Sequence, residues 1–144
     1  MYNKTTEELS NTLKQIRSKD DFESFITTNE ETISLVSFSE YIEKYIKDNN
    51  LSKSEIIHNS LINRTYAYQV LQGTKRPSRD KVVALCLSCN MDLEEVIKCL
   101  TLSQNAILYT KNKRDAIIIF AINKGLSVLQ TNELLYEYKE DILS

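Results

Sequence analysis

Two glycines and one proline in 144 residues constrain this chain more than any other feature. β-Sandwiches, barrels and doubly wound sheets turn sharply many times, and those turns draw on glycine for positive φ and on proline for a preset φ. So few of either exclude most strand-rich architectures and predict an all-α protein. The same scarcity excludes the glycine-rich phosphate loops, because neither GxGxxG nor GxxxxGK[ST] can be written with Gly73 and Gly125 alone. A length of this order suits one domain with helical additions, and 42% hydrophobic residues suffice for a core.

Helix starts are legible where a capping residue is followed three positions on by an acid or amide, a pairing that satisfies free first-turn amides. Thr5 with Glu8, Ser37 with Glu40, Ser52 with Glu55, Asp92 with Glu95 and Ser127 with Gln130 all fit. Apolar spacing then predicts a helix from Thr5 to about Arg17, through Leu9, Leu13 and Ile16, and a shorter one around Phe22, Phe25 and Ile26. Ile33, Leu35 and Val36 read as a connector. Five short helices are expected next. The first carries Phe38, Ile42, Tyr45 and Ile46 and stops at Asn49-Asn50; the second spans Lys53 to about Ser60. The third opens after Asn63 and ends before Gly73, the fourth spans about Arg79 to Ser88, and the fifth about Leu93 to Leu102.

Residues 103–112 read as a partly apolar linker lying along a surface. The last forty residues read as a helical hairpin turning at Gly125-Leu126-Ser127. Ala116 to Ile122 is apolar all round, as in a helix packed on both sides, and Leu129, Leu134, Leu135, Tyr138 and Ile142 form the stripe of its partner. The division is therefore an N-terminal helical extension (1–37), a five-helix domain (38–102) and a C-terminal hairpin (103–144).

Charge is distributed unevenly. The whole chain carries −2, but Lys53, Arg64, Lys75, Arg76, Arg79 and Lys81 stand against only Glu55 and Asp80, six minus two, or +4 between residues 53 and 81. The N-terminal residues 1–38 hold four basic and seven acidic groups, net −3. Cys86 and Cys89 form a CxxC, but Cys99 and the one histidine, His58, complete no four-ligand spacing. Val82, Val83, Leu85, Cys86 and Cys89 recur at helical spacing, so the cysteines read as small apolar core residues. No metal and no cofactor are expected, and no carboxylate pair or nucleophile–base set suggests an enzyme. The N-terminal MYNKTTEELSNTLKQ lacks the order of a secretory signal, and the longest apolar run is too short to span a bilayer. A cytoplasmic protein without membrane association is expected.

The run from Leu51 to Ile97 resembles the Cro and phage-repressor type of helix-turn-helix domain, the xenobiotic-response-element family. The resemblance is carried by Leu51-Ser52 before the second helix, the core positions Ile56, Ile57 and Ile62, and Asn63-Arg64-Thr65 opening the third. Val70 and Gly73 close that helix, and the basic turn with Pro77-Ser78, the Val82, Leu85 and Cys86 stripe and Met91-Asp92-Leu93-Glu94-Glu95 follow. It covers about residues 38 to 102. It implies a phage-repressor-like domain that binds double-stranded DNA and acts as a transcriptional regulator, most simply a repressor, with the helix at about 64–72 in the major groove.

On that helix Arg64, Thr65, Tyr68 and Gln69 share a face, while Ala67, Val70 and Leu71 turn inward. Arg64 can donate twice to guanine and Gln69 can pair bidentately with adenine, which makes these four the expected base readers. Lys53, Asn63, Tyr66, Lys75 and Arg76 are the expected phosphate contacts, positioning without specifying. One of Tyr66 and Tyr68 is expected to be partly buried. Two positions depart from the family: Ser60-Leu61 occupies a turn that usually has glycine, and Leu71 stands where an acid often pairs with an arginine of the first helix. The other reading is a helical adaptor or antitoxin-like module that uses the same scaffold to bind protein; it would expose an apolar patch in place of the basic, polar face. A homodimer is expected, with the hairpin either packing on helix five or dimerising. The acidic first helix could bind a protein partner or mask the basic face. Lys111, Lys113 and Arg114 could touch phosphate or face water.

Overall fold

The computed structural model describes residues 6–28 and 37–144. These are all-helical, with nine helices and no strand among the described residues. α1 (Thr6–Gln15) and α2 (Lys19–Thr28) belong to one compact unit and everything from α3 onward to a second. The Thr5 cap and the connector at Ile33, Leu35 and Val36 lie outside the described residues. In the first unit, Ser18 Oγ accepts the amide of Asp21 at the start of α2, and Phe25 is buried with its ring 6.4 Å from Phe22.

The second unit contains α3 (Phe38–Asp48), α4 (Lys53–Ser60), α5 (Arg64–Gln72), α6 (Arg79–Ser88), α7 (Leu93–Leu102), α8 (Lys113–Lys124) and α9 (Val128–Glu137). Caps set most of their starts: the side chains of Ser37, Ser52, Asn63, Asp92, Asn112 and Ser127 each accept an amide three residues on. At Asp92 and Ser127 the box is reciprocal, with Glu95 and Gln130 reaching back.

α6 is the centre. Val82 to Leu87 are six consecutive buried residues, so this helix has neighbours all round: α4, α7 and α9 pack on it. α3 packs on α5 and α7, and α8 packs on α7 and α9. Ile42, Ile57, Leu71, Leu85 and Leu100 are fully buried in one cluster, each worth about 1.5 to 3 kcal/mol of transfer free energy. Ile118, Ile122, Val128, Leu135 and Leu143 join the same cluster, so the C-terminal hairpin shares its core with α3–α7. Leu71 is among the buried residues, an apolar contact where an ion pair was the alternative.

The hairpin differs from expectation in phase. α8 is not packed on both sides: Ile118, Ala121 and Ile122 are buried, whereas Phe120 is 49% exposed. In α9 the inward stripe is Val128, Thr131 and Leu135, and Leu129, together with Tyr138 and Ile142 beyond the helix end, is exposed. Apolar residues lie on two phases of each helix, and only the packing partner decides which phase turns in.

The scarcity of glycine does not mean a scarcity of left-handed helix ends. Gly73 and Gly125 adopt φ of +85° and +66°, but Asn50, Leu61, Asn90, Gln104 and Lys139 do the same without being glycine. Gly73 has a second constraint, since a Cβ there would lie 2.9 Å from Ser39 Oγ. No helix of the described residues is long and apolar enough to cross a membrane.

Candidate nucleic-acid interface

α4 and α5 are joined by three residues, Leu61, Ile62 and Asn63, and side chains specify the turn. Ser60, buried, donates its hydroxyl to the Ile57 carbonyl at 2.7 Å and accepts the Ile62 amide at 3.3 Å. Leu61 takes the left-handed conformation at φ +62° with its side chain 57% exposed. Asn63 Oδ1 then accepts the Tyr66 amide at 3.0 Å and starts α5. The carboxylate-free first turn of α5 keeps its positive dipole end unneutralised.

Ala67, Val70 and Leu71 anchor α5 in the core. Arg64 and Thr65 are exposed, and Tyr68 and Gln69 are partly exposed. Arg64 does not extend freely: its guanidinium lies 5.3 Å from the Tyr68 ring centroid and donates to Tyr68 Oη at 3.4 Å, a neighbour pairing four residues apart. The Gln69 backbone carbonyl accepts the amides of Thr74 and Lys75 and the Thr74 hydroxyl at 2.9, 3.3 and 3.1 Å, while its side chain has no hydrogen-bond partner among the described residues. One carbonyl thereby ties the basic turn to the end of α5.

The expected phosphate contacts are placed differently from one another. Lys75 is exposed and its ammonium has no partner among the described residues. Arg76 is exposed but donates to Gln104 Oε1, and Lys53 pairs with Glu43 of α3. Tyr66 and Tyr68 are both partly buried, where one of the two was expected. Tyr66 reaches from α5 to the Arg76 carbonyl with its hydroxyl, 3.4 Å away, and its ring lies 5.4 Å from the Lys81 ammonium. Lys81 is not among the expected contacts, yet its ammonium lies beside them. It sits fifteen positions from Tyr66, and no local spacing announces a contact of that range.

Arg79 leaves the basic face altogether. It donates to the Asp115 carboxylate at 2.9 and 2.8 Å and to the carbonyls of Ala106 and Ile107 at 2.8 and 2.7 Å. Its neighbour Asp80 accepts two bonds from Arg114, at 3.1 and 2.9 Å. The six basic residues of the 53–81 run therefore reduce to Arg64, Lys75, Arg76 and Lys81 around α5, with Lys53 partly neutralised. Arg114 is turned inward as well, Lys113 donates to the Tyr138 carbonyl at 2.8 Å, and Lys111 is exposed.

Around this face no metal-holding group of three or more His, Cys, Asp or Glu is present among the described residues. Cys86, Cys89 and Cys99 are free thiols buried under α6 and α7. Burial pushes the Cys89 thiol up to about 12, and a hydrogen bond with Cys99 together with burial raises Cys86. Comparison with protein-family models, with curated proteins and with solved structures finds no match.

Proposed function

We propose that the chain is a sequence-specific double-stranded DNA-binding regulator of transcription, most simply a repressor, whose α3–α7 form a helix-turn-helix domain of the phage-repressor type with α5 as the reading helix. The carrying observation is the composition of the α5 surface. An apolar back of Ala67, Val70 and Leu71 holds it in the core while Arg64, Thr65 and Gln69 stay available, flanked by Lys75, Arg76 and Lys81. A single helix fits the major groove, where arginine and glutamine side chains can distinguish guanine and adenine. Arg64, held over Tyr68, is pre-ordered, which lowers the entropy lost when it meets a base. Lys75, Arg76 and Lys81, with Asn63, Tyr66 and Lys53 beside them, suit phosphates on either side of the groove. The reading needs no cofactor and no catalytic group.

The adaptor reading predicts an apolar patch on this face. An apolar groove lies on the hairpin, between α8 and α9, whereas the cleft beside the basic turn mixes Phe38, Val70 and Pro77 with Ser37, Ser39, Lys75, Arg76 and Gln104; that polar and basic share favours nucleic acid over protein as the occupant of the α5 face.

Selection of fragmented genomic DNA on the purified chain at about 150 mM salt tests the proposal, because weak surface electrostatics are screened there. The expected result is a shared motif that disappears with Arg64→Ala/Gln69→Ala. Recovery of no motif by folded protein would sink it.

A further inference from the structure

The outer side of the hairpin carries an unpartnered surface. α8 turns Ala116, Ile117 and Phe120 outward, and Leu134 of α9 with Tyr138, the residue capping its C-terminal end, closes the other wall of a shallow apolar groove. Phe120 and Tyr138 are each about half exposed here, apolar surface that a partner would cover. Its edges are charged with opposite signs. Lys113 stands at the open end of the α8 wall, still mostly exposed although it donates to the Tyr138 carbonyl and lies 3.9 Å from Glu140 of its own chain, and Lys124 lies 5.9 Å from the Phe120 ring at the turn end. On α9, exposed Glu137 follows Leu134 by three positions and so shares its side of the helix.

A surface with one basic and one acidic wall is self-complementary about a two-fold axis. The geometry points to a second copy of this chain as the occupant, docked hairpin to hairpin about an axis parallel to the helices, with α8 of each copy over α9 of the other. This arrangement sets Lys113 against Glu137 of the second copy and buries Phe120 in the groove. The other two-fold, perpendicular to the helices, stacks α8 on α8 and brings Lys113 over Lys124, a like-charge juxtaposition. The inference stands on the hairpin surface alone; joined to the DNA reading, it supplies the pairing that a two-fold operator requires.

Analytical ultracentrifugation of the full chain without DNA, across the micromolar range, tests it. The wild type should be dimeric and Phe120→Glu monomeric, with Phe120→Ser as a second variant; the side chain is half exposed, so the helical circular dichroism should be unchanged. Lys113→Glu and Glu137→Lys should each weaken the dimer by about tenfold, and their combination should restore it. A monomeric wild type, a dimer indifferent to Phe120→Glu, or charge reversals that fail to rescue one another would each overturn the proposal. A chain that dimerises but ignores every DNA sequence would sink the DNA reading and leave this one standing; a monomer that binds a half-site would do the reverse.

Discussion

Arg79 and Asp115, 36 positions apart, form a two-pronged ion pair that locks the N-terminal end of α6 to that of α8. The neighbouring residues make the reciprocal pair with the charges exchanged, Asp80 accepting from Arg114. Two Arg-Asp dipeptides thus clasp each other. Asp115 also accepts the Tyr109 amide at 2.9 Å, and Arg79 gathers the Ala106 and Ile107 carbonyls, so residues 105–112 are held along the surface by polar contacts.

The clasp has a pH signature. The hydrogen bond from Arg79 is the main cause holding the Asp115 carboxyl below its ordinary value, and the Tyr109 amide adds to it. A carboxylate depressed in the folded state stabilises above its unfolded pKa, and that contribution is lost as pH falls through the lower, folded value. Asp115→Asn should therefore destabilise at neutral pH, by about 3 kcal/mol as for breaking a buried pair. The difference from wild type should shrink in acid. Urea unfolding at pH 7 and pH 3 measures both; an unchanged gap would show that the charge is not what matters.

Leu61 should be improvable. Its left-handed backbone costs a branched side chain about 1 to 2 kcal/mol, and its exposure means little packing is lost on truncation. Set against the extra flexibility of glycine when unfolded, Leu61→Gly should gain roughly 0.5 to 1 kcal/mol and raise the thermal midpoint by a few degrees. A fall in midpoint by calorimetry would mean that the Leu61 side chain contributes contacts of its own.

The thiols should be inert while the chain is folded. Cys86, Cys89 and Cys99 are buried, and the nucleophile is the thiolate, which the raised values of Cys86 and Cys89 keep scarce. Titration with a disulfide reagent at pH 8 should label essentially no thiol without denaturant and all three with it. Rapid labelling of the folded chain would indicate opening between α6 and α7.

If α5 reads DNA, two pairs of substitutions should separate. Arg64→Ala/Gln69→Ala should lower affinity for the selected site by about 1 to 3 kcal/mol per residue and leave random DNA almost unaffected. Lys75→Ala/Arg76→Ala should weaken all sequences and lower the salt slope by about one per phosphate contact. Equal behaviour of the two pairs in titrations across salt would remove the distinction between readers and anchors.

Helix ends were the most legible part of this protein. Ser52, Asn63, Asp92, Ser127, Gly73 and Gly125 act through hydrogen bonds or backbone freedom within a few residues, so local sequence determines them. The inward face of α5 was equally legible from spacing. Left-handed ends at Gln104 and Lys139 were not, because no residue preference marks them. The contacts around the candidate site were hidden too: Lys81 on Tyr66, Gln104 on Arg76 and Glu43 on Lys53 join residues whose separation in sequence carries no period.

The sequence by itself determined an all-helical chain and most of the places where its helices start, since capping and helical periodicity are local. Only the tertiary structure decided which arginines are available. Arg64 and Arg79 read alike as members of one basic run, but Arg79 meets Asp115 and Arg64 does not. A charge 36 positions away takes a cation off the surface only when packing brings the two helix ends together, and that proximity belongs to the folded core.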